Sequence, residues 1–385
     1  MTEFQVAFYQ DSDWEQIRLF ISDNWSSSHP LLNKTFFDWQ FNGFGEEKNK
    51  IKSLLLKDNG KIIGMRGIIP GIYQVPLDKN NLMELQGGSF SMWMIRKEYR
   101  KRRLGLLLHM EAQKNLNVIS GAGSNPKTSL PIYLKNDFKV LEAMNRYVMP
   151  LSMEYQELLS EKVELQEIVA SMAVLSSNQE PLTPKVPNPN DLEKLWKDVT
   201  FPLGIFSILR NTDFWKWRYL SNVGFDYLFW GNPNKTGIVV GHIETIISDE
   251  ISQINGKTVF RIIEMIPRSK SVWQGEMSQD FQDLLLGVLA WARQKGCLAV
   301  DFYCSTSRFE HILNNVGLRK QNPDLGPPLS SLAVLFQPLK YKANLINALY
   351  RIDIPGYGFI CPNFYDTYMV KSENDMDRPK VNYNR

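Results

Sequence analysis

The stretch with the most chemical content runs from Met92 to Met110, MWMIRKEYRKRRLGLLLHM. Six of the eight residues from Arg96 to Arg103 are Arg or Lys, and they separate an apolar strand-like run from a leucine-rich helix-like one. A strand entering a helix through such a loop aims the first backbone N–H groups of the helix, and the positive end of its dipole, at whatever lies over the loop. A diphosphate suits that arrangement. A solvated basic turn and a nucleic-acid or targeting patch are the other readings of a bare basic run.

The spacing inside the loop narrows the choice. EYRKRRLGLLL resembles the coenzyme A loop of the GNAT acyltransferase superfamily, R/Q-x-x-G-x-G/A between a strand and a helix. Arg100 matches the first position and Gly105 the last, while Arg103 stands where the middle glycine belongs. Further on, VISG from Val118 and then SNPKTSLPIYLKNDFK resemble the family's N…YxxxGF signature: Asn125, Tyr133 and Phe138 match, and Asp137 replaces the glycine.

The resemblance implies an acyl-CoA donor and assigns it partners. The pyrophosphate would rest on amides of Lys101, Arg102, Arg103, Leu104, Gly105 and Leu106, with Arg100, Lys101, Arg102 and Arg103 adding charge. Backbone groups of Trp93, Met94 and Ile95 would hold the pantetheine arm and thioester carbonyl, and Tyr133 would protonate the leaving thiolate.

The elements that must position these residues fit a mixed α/β fold. The 385 residues carry a net charge of +3 and an ordinary globular composition, long enough for two domains. Cys297, Cys304 and Cys361 form neither a metal spacing nor an even disulfide framework, and four scattered histidines offer no zinc motif. No signal peptide or membrane-spanning stretch is visible, so a cytoplasmic, non-integral, metal-free protein is expected.

Residues 1–151 read as one GNAT-like lobe, with a strand over Phe4–Phe8, two helices, further strands, and RYVMPL from Arg146 as its closing strand. Residues 152–189 read as a connector, helical at first and then rich in proline. The chain then begins again: Asp13, Asn33, Phe36 and Trp39 recur as Asp191, Asn211, Phe214 and Trp217 at one offset of 178 residues. Residues 190–370 are thus expected to form a second lobe, closed by SSLAVLFQPLK, followed by a helix over Asn344–Arg351 and a frayed polar tail at 371–385. Its counterpart of the basic loop lacks the motif, so one coenzyme per chain is expected, with the second lobe helping to bind the acceptor.

The general base is less legible. His29 has a suitable intrinsic pKa and precedes the aromatic helix; Glu264 and Glu84 are alternatives on or near central strands. His109 and His311 fall on helices and are expected to face solvent. Trp39, Trp215, Trp217, Tyr219 and Trp230 suit a core better than a base-stacking surface.

Two such lobes in one chain resemble bacterial N-acyltransferases of nucleotide-linked amino sugars. That likeness implies transfer of an acetyl or 3-hydroxybutanoyl group from acyl-CoA to a nucleotide-linked, dTDP-type amino-dideoxy sugar during O-antigen or capsule synthesis. Rival readings are an aminoacyltransferase of the FemABX type and a non-catalytic nucleic-acid-binding protein.

Overall fold

A computed structural model of the chain describes residues 4–45, 48, 50–78, 81–158, 172–175, 179–247, 252–321 and 345–377. Strand β1 (Phe4–Phe8) leads into helix α1 (Trp14–Asn24), which buries Ile17, Phe20 and Ile21 on one face. Helix α2 (Lys34–Phe41) starts at Asn33, whose side chain accepts the Phe36 N–H as an N-cap. Strands β2 (Leu54–Asp58), β3 (Lys61–Asp78) and β4 (Asn81–Ile95) follow as an antiparallel meander. Helix α3 (Leu104–Lys114) then crosses over to β5 (Val118–Ala122), parallel to β4. Alternation along these strands sends Leu55, Met65 and Ile69 toward α1 and α2, and Leu54, Leu56 and Phe90 toward α3. Helix α4 (Leu130–Leu134), β6 (Lys139–Leu141) and β7 (Asn145–Pro150) complete the first half.

The second half repeats the order with α5 (Pro189–Thr200), β8 (Ser207–Ile208), α6 (Thr212–Trp215), β9 (Leu228–Asn232), β10 (Gly237–Thr245) and β11 (Thr258–Pro267). Helices α7 (Lys270–Trp273) and α8 (Gln279–Gln294) lead to β12 (Cys297–Cys304), parallel to β11. Then come α9 (Glu310–Asn315), β13 (Arg319–Lys320), β14 (Ala348–Ile354) and β15 (Gly358–Phe359). Asn211 caps α6 through the Phe214 N–H, as Asn33 caps α2. Trp39 and Trp217 face each other: each indole N–H donates to the other's carbonyl, at 3.0 and 2.8 Å, and the rings stack 5.2 Å apart. Such reciprocity is the mark of a local two-fold axis between the copies. The aromatic residues of the repeat therefore form core.

The sheets do not follow the halves of the sequence. Among the described residues one sheet runs β1-β2-β3-β4-β5-β14-β15, with β6 on β14 and β8 on β3, and the other runs β13-β7-β12-β11-β10-β9. Strand β7, expected to close the first lobe, pairs instead with β12. Ala348–Arg351, expected within a helix, belongs instead to strand β14, which pairs with β5. Each copy thus lends its last long strand to the other, because an apolar run carries no mark of which sheet will receive it. SSLAVLFQPLK lies outside the described residues, as does most of the connector's expected helix. The proline-rich part packs on the second half, where the Leu182 N–H donates to the Gly287 carbonyl and the Trp230 indole donates to Leu182.

The expected fraying at 371–385 is corrected for residues 371–377. Six of these seven side chains are buried, all but Asp375. Their polarity reads as solvation in the sequence, but each charge meets a partner inside.

Candidate active site

Strands β4 and β5 pair only from Gly87/Val118 to Phe90/Gly121. Beyond that point β5 turns toward the β14 side, where Gly123 and Ser124 donate to the backbone and side chain of Asn347. Strand β4 stays on β3 and carries a bulge: Met92, at φ +38, is the extra residue between the Gly67/Ser91 and Arg66/Trp93 pairs. A bulge places two successive side chains on one face, so Phe90 and Trp93 pack toward α3 while Met92 joins the core toward α1 and α2. The two strands therefore part, leaving an opening between them with Trp93, Met94 and Ile95 on its β4 edge.

The basic loop closes the α3 end of this opening. Lys97–Arg102 forms a 3-10 turn, and Arg103 adopts the left-handed conformation, φ +59. Asp137, the second residue at a family glycine position, is left-handed as well, φ +62. The backbone keeps the shape that glycine would give it, although neither residue is glycine. Gly105 fits tightly for a different reason: a Cβ there would lie 3.2 Å from Trp93 Nε1, whose N–H donates to the Gly105 carbonyl, so the indole would have to give by a few tenths of an ångström. Leu104 and Gly105 open α3, where an α-helix has no carbonyl for its first N–H groups. Leu106 donates back to Arg103. Lys101, Arg102 and Arg103 are exposed, and Arg100 folds back so that its Nε donates to Ile95.

On the α3 face, Tyr133 from α4 is buried and its hydroxyl accepts from Arg66. Arg66 is itself 2% exposed and lies 4.0 Å from the Phe90 ring centroid and 4.8 Å from that of Trp93. Burial pulls its guanidinium below the usual arginine range. With the guanidinium donating into its oxygen, the Tyr133 O–H proton is left to be given elsewhere. His109 corrects the expectation that it faces solvent: it is fully buried, stacked on Trp93 at 5.0 Å and edge-on to Tyr133. Burial and the charges of Arg66 and Arg351 push it down to about 3, so the imidazole is neutral.

Other expected residues fall elsewhere. His29 is buried, packs against Trp25, and caps a 3-10 turn by accepting the Leu31 N–H at Nδ1, the lone pair a base would need. Glu264 is fully buried and accepts from Arg210, Tyr219, Tyr368 and Ser372, so it too is corrected to a structural role. Glu84 and His311 are exposed. Asn125 is exposed, and its side chain accepts from Lys127 and Thr128, forming the turn that leads to α4. In the second half the matching space between β11 and β12 is filled, because the Tyr368 hydroxyl bonds both the N–H and the carbonyl of Met265.

Residues 371–377, missed in the sequence, cross the mouth of the opening. Ser91 Oγ donates to Asp375 Oδ2 at 2.7 Å on the β4 side, and Met376 packs over Gly123 on the β5 side. The segment is fastened on both flanks. Ser372 donates to Glu264 and Glu373 pairs with Arg210; Asp377 binds His242 Nε2, Arg218 and Tyr227. Among the described residues there is no group of His, Cys, Asp and Glu able to hold a metal ion and no helix long and apolar enough to cross a membrane.

No protein-family model and no curated protein matches the sequence. Solved structures do match the fold. N-myristoyltransferase of Saccharomyces cerevisiae with bound myristoyl-CoA aligns over 91% of this chain and 83% of its own, at TM-score 0.53 and 9% identity. A GCN5-related N-acetyltransferase from Anabaena variabilis aligns over 91% and 73%, at 0.51 and 12%. A probable N-acyltransferase from Enterococcus faecalis gives the same coverage at 0.50 and 12%. At these identities the likeness is one of fold: the chain has the GNAT-type mixed α/β architecture that these structures share.

Proposed function

We propose that the protein is an acyl-CoA-dependent N-acyltransferase whose donor lies in the opening between β4 and β5. The observation that carries this reading is the conjunction of a bulged, parted strand pair with a basic loop turning left-handed into α3. The coenzyme diphosphate would sit on the amides from Lys101 to Leu106, with Arg100, Lys101, Arg102 and Arg103 nearby, and the thioester beside Trp93, Met94 and Ile95. Tyr133 would deliver a proton to the departing thiolate. An amine entering from the face shared by the two halves attacks the thioester carbonyl. The acceptor we favour is a dTDP-linked amino-dideoxy sugar, and the acyl group acetyl or 3-hydroxybutanoyl. That finer assignment rests on the resemblance of the two-lobed chain to the sugar N-acyltransferases alone.

Thermal-shift and titration calorimetry with coenzyme A, acetyl-CoA, 3-hydroxybutanoyl-CoA and nucleotide sugars tests it. One coenzyme per chain is expected. Lys101→Ala with Arg102→Ala should weaken binding tenfold or more, since one charge-assisted phosphate contact is worth about 1.5–3 kcal/mol. Unchanged affinity in that variant, or steeply salt-dependent nucleic-acid binding without any response to coenzyme A, would overturn the reading.

A further inference from the structure

We infer that Asp375 is the proton acceptor for the attacking amine, carried to the β4/β5 opening by the buried segment 371–377. The inference rests on the donor reading above. Asp375 is the one partly exposed residue in a run whose other six side chains are buried. It stands at the mouth of the opening, one residue from the Met92 bulge through its bond to Ser91. Among the described residues Ser91 is its one hydrogen-bond partner, which aims Oδ2 and leaves Oδ1 for a substrate proton.

The surrounding anchors make this an ordered position. Lys371 lies 4.4 Å from the Tyr303 ring centroid, Glu373 is held by Arg210 and Ser207, and Asp377 by His242, Arg218 and Tyr227. These contacts spend the segment's other carboxylates on structure. The other base candidates are excluded by their bonding: His29 caps a turn, and Glu264 accepts four donors. His109 lies on the opposite face of the sheet, as does Tyr133. Arg66, across the sheet, is the buried charge that bears on Asp375.

The two proton-handling groups therefore lie on opposite sides of the opening, as an amine arriving from one face and a thiol leaving on the other require. In the step, the amine nitrogen bonds to the thioester carbonyl carbon and the carbon–sulfur bond breaks. The proton lost by nitrogen goes to the Asp375 carboxylate. The electron pair of the broken bond stays on sulfur, which takes a proton from Tyr133, giving an amide and a free thiol.

The test uses the full chain, acetyl-CoA and a panel of amine acceptors that includes dTDP-linked amino sugars, with thiol release as the readout. Asp375→Asn keeps the shape and the Ser91 bond but cannot accept a proton. It should lower kcat by about a hundredfold, remove the acidic limb of the kcat/KM profile, and leave coenzyme affinity unchanged. Ser91→Ala, which keeps the carboxylate and loses its aim, should retain the limb at a rate reduced several-fold. An Asp375→Asn rate within threefold of wild type, or an unaltered pH profile, overturns the inference. A wild type that binds no coenzyme overturns the donor reading, and this inference with it.

Discussion

Removing one oxygen, in Tyr133→Phe, separates the chemistry of the α3 face from its packing. The ring contacts to Trp93, His109 and Phe138 survive, so no cavity forms. What disappears is the acceptor for Arg66, a guanidinium 2% exposed whose Nε already has no partner among the described residues. A charge-assisted bond lost from such a site should cost about 1.5–3 kcal/mol of folding stability. If the phenol also delivers the proton to the thiolate, kcat falls about a hundredfold, equivalent to roughly 2.7 kcal/mol of activation energy. The two effects separate in the double variant Arg66→Met/Tyr133→Phe, which removes the stranded charge and should recover much of the stability but none of the rate. Urea denaturation gives the first quantity, and thiol release at saturating acetyl-CoA, well below the melting transition, gives the second. A single variant with kcat within threefold of wild type, or a double variant whose rate returns together with its stability, would refute the acid role.

Further outcomes follow from the fold. Arg103→Gly should stabilise the protein by about 0.5–1 kcal/mol in urea titrations, since roughly 1–2 kcal/mol of left-handed strain exceeds the added unfolded-state entropy of glycine; a clear loss would contradict the geometry. Asp137→Gly should be nearly neutral, because a short polar side chain tolerates that conformation. A fragment of residues 1–151 lacks the strand that pairs with β5 and should show neither a cooperative melt nor dispersed amide resonances; a folded fragment would refute the exchange. Burial alone would raise Asp301, but Arg261, Lys371 and Arg146 hold it at about 2, and Asp377 lies lower still beside His242 and Arg218. Both sit below their unfolded values, so their contribution is complete above about pH 4 and is lost as pH falls toward 2, Asp301 alone supplying roughly 2 kcal/mol. An Asp301→Asn variant whose loss of stability is the same at pH 6 and at pH 2 would contradict this.

The amino-acid sequence by itself determined the local features of this protein. The basic loop and its helix, the Asn33 and Asn211 caps, the duplicated aromatic helix and the Tyr133 position all depend on residues within a turn or two of one another, and short-range sterics and periodicity make such features readable. Even the departures from glycine were informative, since Arg103 and Asp137 both hold the left-handed conformation that those positions demand. The tertiary structure alone decided which strands share a sheet, which charges are buried, and where a carboxylate meets the opening. Strands β7 and β14 are apolar runs that either sheet could accept, and their exchange depends on contacts made across the pseudo-two-fold. KSENDMD looks like a solvated tail until Arg210, Arg218, His242 and Ser91, 284 residues from Asp375, come together around it. A buried ion pair leaves no periodic trace in one chain segment, because its two halves are related only through the folded core.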